Sequence, residues 1–336
     1  MMSTSTDTWP RSRLSGTGSY LPDRVVTNDE VARWVDTSDE WIRQRVGIRE
    51  RRYAAEGQAT SDMAAEAGRA AIKAAGLTPE DIDMIIVGTI TGDMPLPACA
   101  AFVQKKLGCR NVPAFDVAAA CAGFIFALSL GDSVIRSGAA RHVLAIGAET
   151  LTSITNFKDR NTCVLFGDGA GAVVLSRADD DTAGLLLSTS VFTDASHTDI
   201  LNVPVGGSKE PVTHEALDAQ RNKIYMNGQE VFRVAVRRLT SSSQEVIKQS
   251  GLMPEQVDWV VPHQANLRIL NQVAARLGIP YERFILNIEV RGNTSSASVP
   301  IALNEAVLDG RIKPGQTVLM CALGAGISWG SALVRM

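Results

Sequence analysis

Several things are missing from this chain of 336 residues, and each absence removes a class of protein. No run of about eighteen apolar residues without a charge occurs, so no membrane-spanning helix is expected. The stretch from Met1 to Arg13 is polar and holds no apolar segment of a secretory leader, so a cytoplasmic protein is expected. Cysteine is scarce and odd in number, five in all, with no Cys-x-x-Cys pair and no metal-ligand spacing. That fits free thiols in a reducing cytosol, with no metal. The net charge of −3 argues against nucleic acid as a general partner. Histidine occurs only four times. What remains, 45% hydrophobic and 21% charged, is the composition of an ordinary soluble globular protein. At this length it can bury a large core, as one wide domain or two similar halves.

An internal repeat favours two halves. Ile72–Val87 (IKAAGLTPEDIDMIIV) aligns without gaps to Ile247–Pro262 (IKQSGLMPEQVDWVVP), identical at seven of sixteen positions. Each copy reads as a helix ending at Gly, a Leu-x-Pro-Glu turn and a buried strand. A second echo pairs Arg141–Ile146 with Gln316–Cys321, both read as strands after a Gly-containing turn. Two α/β units follow, residues 1–180 and 181–336, divided at the polar Asp179–Gly184 stretch.

Cys121 lies in AFDVAAACAGF, read as a buried strand breaking into a helix that Gly138 closes. The helix is apolar on nearly every side, as burial on most faces requires. A thiol on its first turn faces the positive end of the helix dipole, which predicts a pKa below the free value of ~8.5. A packed core cysteine fits this segment equally well. His263, in DWVVPHQANLR, ends an apolar strand just before a helix, where α/β folds place reactive groups. His142 reads as a solvated helix-exit residue, and His197 and His214 lie in a polar, loop-like stretch. Asn293, in RGNTSSAS, alone reads as a cap or turn residue before the helix around Ile301–Leu308.

Together AAACAGF, VPHQANLR and GNTSSAS resemble the Cys-His-Asn triad of the β-ketoacyl-acyl-carrier-protein synthase III family, which initiates type II fatty-acid synthesis. The resemblance runs nearly end to end, through GTGSYLP, DTSDEWI, GIRERR, DRNTCVLFGDGAGAVVL and WGSALVRM. It implies the thiolase fold, a five-layered α-β-α-β-α sandwich, and an α/β class overall. It implies Cys121 as acylated nucleophile, with its own N–H and that of Ala325 as oxyanion hole. His263 and Asn293 would hold the enolate formed when malonyl-carrier protein decarboxylates, with His263 as a neutral Nε2–H donor. Trp41, Arg45 and Arg160 are similar to the adenine clamp for coenzyme A, and Gly228, Phe232 and Asn266 to the pantetheine tunnel. Arg233 and the run Gln264, Ala265, Asn266, Leu267 and Arg268 correspond to the carrier-protein contact. The family is dimeric and sends a pocket-wall residue across from the partner subunit. Leu96 matches that position and stands where acetyl-specific relatives resemble a Phe; Phe124 completes the acyl pocket. Neither metal nor redox cofactor is implied, the CoA thioester being a substrate.

Charge agrees with a carrier partner. Residues 233–276 hold six basic side chains (Arg233, Arg237, Arg238, Lys248, Arg268, Arg276) against three acidic ones, although a solvated helix face reads the same way. Gly167–Gly171 lacks the lysine of a phosphate loop and reads as close strand packing. Cys321 has the wrong glycine spacing for a second catalytic thiol, and Cys163 reads as a mid-strand core residue. Papain-like peptidases share the Cys, His, Asn order, but their CGSCW-type signature is absent. A non-catalytic chain-length factor would not keep all three residues. The alternative that survives lies within the same group of enzymes, a ketosynthase or acyltransferase of secondary metabolism acting on a special acyl chain.

Overall fold

The computed structural model describes residues 10–178 and 183–336. Nine strands carry the sheet: β1 (Arg11–Tyr20), β2 (Met84–Gly88), β3 (Ala114–Val117), β4 (His142–Glu149), β5 (Gly169–Ala178), β6 (Leu185–Thr193), β7 (Trp259–Pro262), β8 (Thr317–Gly324) and β9 (Ser328–Arg335). Their order is β7-β8-β9-β6-β1-β5-β4-β2-β3. Among the described residues seven helices have eight residues or more: α1 (Asp39–Val46), α2 (Thr60–Ala74), α3 (Cys99–Leu107), α4 (Gly123–Arg136), α5 (Gly228–Gln249), α6 (Leu267–Leu277) and α7 (Ser298–Leu308).

The order divides into two similar series. From β1 the strands run β5, β4, β2, β3, two antiparallel pairings followed by two parallel ones. From β6 they run β9, β8, β7, with the same two antiparallel pairings and then a parallel one. A single parallel bridge, Val260 to Phe284, stands in the fifth place. The series meet at β1 and β6, where Arg13 pairs with Leu185 and Leu14 N donates to Gly184 O at 2.7 Å.

The repeat explains the match bond by bond. In one copy Leu77 N donates to Ile72 O and Thr78 N to Asp81 Oδ2; in the other Leu252 N donates to Ile247 O and Met253 N to Gln256 Oε1. Asp83 then accepts from the N–H groups of Arg141 and His142, as Asp258 accepts from Thr317 N. The second sequence echo is therefore the parallel neighbour of the first in each series, Met84 beside Val143 and Trp259 beside Val318.

Both sheet faces are covered, which the strand patterns require. Ile86, Val143, Ala145, Val173 and Leu175 face the central layer, while Ile85, Val87, Leu144, Ile146 and Val174 face α2 and α3. In β8, Val318, Met320 and Ala322 point inward and Leu319, Cys321 and Leu323 point toward α5 and α6. Period-two alternation with apolar residues on both faces is the pattern of a doubly covered sheet. Helices α4 and α7 fill the middle, so the layers are α2/α3, sheet, α4/α7, sheet, α5/α6. This is the five-layered α-β-α-β-α sandwich. No described helix is long and apolar enough to cross a membrane.

Some sequence expectations need correction. Strand β3 is an edge strand rather than a buried one, and its Phe115 is exposed. Cys163 closes a short helical turn, Arg160–Cys163, instead of lying mid-strand. His142 begins β4, half-buried, with Nδ1 at 2.9 Å from Ser176 Oγ. The expected division at residue 180 lies outside the described residues.

Candidate active site

Three turns, two leading into the central helices α4 and α7 and one following β7, converge on one cavity of about 1090 Å³. Cys121 sits in a 3₁₀ turn (Ala120–Ala122) that runs straight into α4, and Gly138, at φ 79°, follows the helix C-terminus. His263 follows β7. Asn293 precedes the Ser295–Ala297 turn that opens α7. All three side chains line the cavity, Cys121 partly exposed into it and the other two buried.

The turns at Cys121, at Ser295 and at Ala325–Ile327 are held in backbone conformations that side chains disfavour. Ala120 has φ 46°, Ser295 φ 51° and Ile327 φ 42°, three of the four non-glycine residues with positive φ among those described. Each costs on the order of 1–2 kcal/mol relative to the right-handed region. Gly324 permits a close approach to the site: a Cβ there would lie 2.5 Å from Cys121 N. The Ala325 turn therefore packs directly against the Cys121 backbone, with Ala325 itself partly exposed.

The hydrogen bonds orient the polar groups. Asn293 is clamped through its backbone, its N donating to Leu165 O and its carbonyl accepting from Gly167 N, both at 2.9 Å. Asn293 Oδ1 accepts from Ser295 N at 2.9 Å, which leaves the Nδ2 amide as the free donor. His263 Nδ1 lies 2.6 Å from Ser298 Oγ, which also lies 2.8 Å from the Ser295 carbonyl oxygen. The hydroxyl has one proton to give. Donated to Nδ1, it makes Nε2 the protonated nitrogen; donated to Ser295 O, it leaves the proton on Nδ1.

Electrostatics depart from the sequence reading at the thiol. Burial pushes Cys121 up to about 12, the Glu149 carboxylate adds to this, and a hydrogen bond with the Ser295 side chain opposes it. The resting group is a thiol, contrary to the lowered pKa expected from the helix dipole, because desolvation outweighs the dipole here. Burial lowers His263 to about 4, so the imidazole is neutral at physiological pH.

The mouth of the cavity gathers most of the remaining expected residues. Trp41, Arg45, Gly228, Phe232, Arg233, Ala265, Asn266 and Arg268 all line it. Arg160 and Arg45 lie over the Trp41 ring at 4.6 and 5.6 Å from its centroid. Asn266 caps α6, its Oδ1 accepting from Arg268 N at 2.8 Å, and Arg268 lies 5.9 Å from the Phe232 ring centroid.

Four residues are placed elsewhere. Gln264 is fully buried: it donates to the carbonyls of Pro262 and Ile285 and accepts from the N–H groups of Asn287 and Ile288. It is a structural amide, not a carrier-protein contact. Leu267 is packed under Gly47. Phe124 is fully buried in the central core and does not line the cavity. Leu96 is 82% exposed and does not line the cavity of its own chain. Sequence reasoning missed Ser295, Ser298, Gly324 and Glu149. The GNTSSAS run marked the neighbourhood of the serines without distinguishing one hydroxyl from another.

Comparison with known proteins agrees with this geometry. Residues 115–195 match 3-oxoacyl-[acyl-carrier-protein (ACP)] synthase III, and residues 247–336 its C-terminal part. The two spans contain the three turns' polar side chains, and with the layered fold they define a thiolase-fold ketosynthase, an acyltransferase. A β-ketoacyl-[acyl-carrier-protein] synthase III of Xanthomonas campestris is 51% identical over 96% of this chain and 98% of its own. One from Rhizorhabdus wittichii is 51% identical over 97% and 99%. The crystal structure of the Aquifex aeolicus synthase III superposes with a TM-score of 0.89 at 44% identity, covering 97% of this chain and all of that one. The chain belongs to the β-ketoacyl-[acyl-carrier-protein] synthase III family, and its condensation initiates fatty acid synthesis.

Proposed function

We propose that Cys121 takes an acyl group from acyl-CoA and that the acyl-enzyme condenses with malonyl-acyl carrier protein, giving 3-oxoacyl-carrier protein and CO₂. The observation that carries this reading is the meeting of a thiol, a neutral imidazole and an oriented amide in one cavity. Attack on the thioester places negative charge on its oxygen, which the N–H groups of Cys121 and Ala325 would stabilise; losing one such donor typically costs ~10²–10³ in rate. In the second half-reaction His263 Nε2–H and Asn293 Nδ2–H would donate to the malonyl thioester carbonyl as CO₂ leaves. The carbanion then attacks the acyl-Cys121 carbonyl. This role requires the Ser298 proton to be directed at His263 Nδ1. The chemistry calls for no cofactor beyond the CoA thioester substrate.

Trp41, with Arg45 and Arg160 over its ring, suits an adenine clamp, and Gly228, Phe232 and Asn266 would flank the pantetheine arm. Arg233 and Arg268, both exposed, would meet the acidic carrier. The nucleophile comes from the N-terminal half (residues 1–180) and the enolate donors from the C-terminal half (181–336). A homodimer in the cytoplasm fits the exposed edge: β3 offers unpaired backbone beside Phe115, and the 82% exposed Leu96 would reach a partner's acyl pocket.

Intact-mass analysis after incubation with a panel of acyl-CoAs tests the reading. An adduct on the wild type that is lost in Cys121→Ser supports it, and an undiminished adduct in that variant refutes it. The same panel on Leu96→Phe reports chain length, each extra buried CH₂ contributing up to ~0.8 kcal/mol. A shift toward acetyl-CoA in Leu96→Phe supports the crossing residue, whereas an unchanged preference removes it.

A further inference from the structure

The condensation described above gives no destination to the proton of Cys121. His263 has its Nδ1 against Ser298 and is needed neutral, and the thiol itself is pushed up to about 12, too high to ionise unaided at neutral pH. Behind the nucleophile lies a carboxylate that nothing so far has used. Glu149 ends β4 wholly buried, and the Ser295–Ala297 turn packs against both β4 and the Ala120–Ala122 turn that holds Cys121. Ser295 Oγ donates to Glu149 Oε1 at 3.2 Å, and the Ser295 hydroxyl favours the Cys121 thiolate against burial.

The two carboxylate oxygens are unequally bonded. Oε2 accepts three donors: Thr89 Oγ1 at 3.1 Å, Thr91 Oγ1 at 2.5 Å and Ile90 N at 3.2 Å. Oε1 has Ser295 and a 3.4 Å contact from Ser296, whose hydroxyl is already given to Gly88 O at 2.6 Å. Oε1 is the oxygen with room for a proton, and it faces the serine whose turn packs against that of Cys121.

We propose that Glu149, acting through the Ser295 hydroxyl, accepts the Cys121 proton as the sulfur attacks the acyl thioester. The inference rests on the reading that Cys121 is acylated. As the Sγ–carbonyl bond forms, the thiol proton passes to Ser295 Oγ while the Ser295 proton passes to Glu149 Oε1. The carbon–sulfur bond to CoA then breaks, and the CoA thiolate takes a proton from solvent. After condensation the released Cys121 thiolate recovers the stored proton from Glu149 by the same path, and the site returns to its starting state.

Burial raises Glu149 to about 7, against the hydrogen bonds from Thr91, Ile90, Thr89 and Ser295, so it can both take and return a proton near neutrality. Its charge raises the pKa of two neighbouring thiols, Cys121 and Cys99. The loop after β2 and the turn before α7 present to it only hydroxyls and N–H groups. Asp168, next to the strand partner Gly169, gives its carboxylate to Ala54 and Thr152.

Rapid-quench acylation of Cys121 by acetyl-CoA, followed by intact mass across pH, tests the relay. In the wild type the acylation rate should rise with pH through about 7 and level off. Glu149→Gln and Ser295→Ala should each lower the neutral-pH rate about 10²-fold, the size typical of general-base loss, and replace the plateau by a steady rise with hydroxide. Thr91→Val, which removes one donor to the carboxylate, should keep the plateau and move its midpoint upward. Malonyl decarboxylation should fall less than acylation in Glu149→Gln. Wild-type acylation rate and pH profile in Glu149→Gln would overturn the relay. If that variant does not fold, an unmoved midpoint in Thr91→Val does so instead. Failure of the wild type to form any Cys121 adduct would overturn the proposed function itself, an outcome visible before any variant is made.

Discussion

At the scale of single residues, the site separates groups that react from groups that orient them. His263 holds its ring by one side-chain contact, to Ser298. Removing that hydroxyl should misdirect the imidazole proton without touching Cys121. Ser298→Ala is therefore expected to lower malonyl decarboxylation about five- to tenfold, the size of one net hydrogen bond, while acylation from acyl-CoA stays near wild type. His263→Ala should show the same split more strongly, and equal loss of both half-reactions in either variant contradicts the assignment. Gly324→Ala would push a methyl toward the Cys121 backbone; we expect about 1–3 kcal/mol of lost stability, read by urea unfolding, and a steep loss of acylation. The residues proposed to react were legible in the sequence because Cys121, His263 and Asn293 sit in strings that resemble the family's, and the structure brings all three to one cavity. The orienting ones were not. Ser298 and Ser295 differ from their neighbours only in backbone direction, and Gln264 sits in the matched VPHQANLR string while its amide points into the interior.

Elements carry the second level of recognition. On α5, Arg233 and Arg237 lie four residues apart on one exposed face, and Arg268 opens α6 beside them. Arg238 does not share that face: it pairs with Asp194 at 2.5 Å and lies over Trp329, so it belongs to the fold. Arg233 is also bonded to Glu230 at 2.7 Å, an exposed pair that salt and a charged partner can displace. Arg268→Glu should raise KM for the malonyl carrier about tenfold, leave KM for acyl-CoA little changed, and abolish most of the salt dependence of the former. A carrier KM that ignores ionic strength in the wild type would remove this surface from the mechanism. The duplicated helix-turn-strand units were readable because each copy needs the same glycine, proline and acidic or amide group to close the same hydrogen bonds. Strand β3 was misjudged because an apolar run does not say whether a further strand lies beside it.

Over the whole molecule, two buried groups pull acid stability in opposite directions. Glu149 has its folded pKa raised to about 7, so its contribution is fully present below its ordinary carboxylate pKa and is lost as pH rises through about 7. His263 is depressed to about 4, so its contribution is present above the ordinary imidazole pKa and is lost as pH falls toward 4. Each is worth about 3 kcal/mol, and between them they nearly cancel. Unfolding free energies of two variants should therefore diverge: on acidification from about pH 7.5 to about pH 5, His263→Gln gains stability relative to Glu149→Gln. Parallel curves would show that neither group is desolvated as described. The left-handed residues at 120, 295 and 327 have a different consequence, one that concerns selection rather than chemistry. Ala120→Gly should relieve local strain about as much as it adds backbone freedom, leaving the melting temperature nearly unchanged while acylation slows. A population screened only for surviving heat would find such changes silent and let them accumulate. Its members would stay folded and gradually cease to make product, so these three positions record demand for turnover rather than demand for durability.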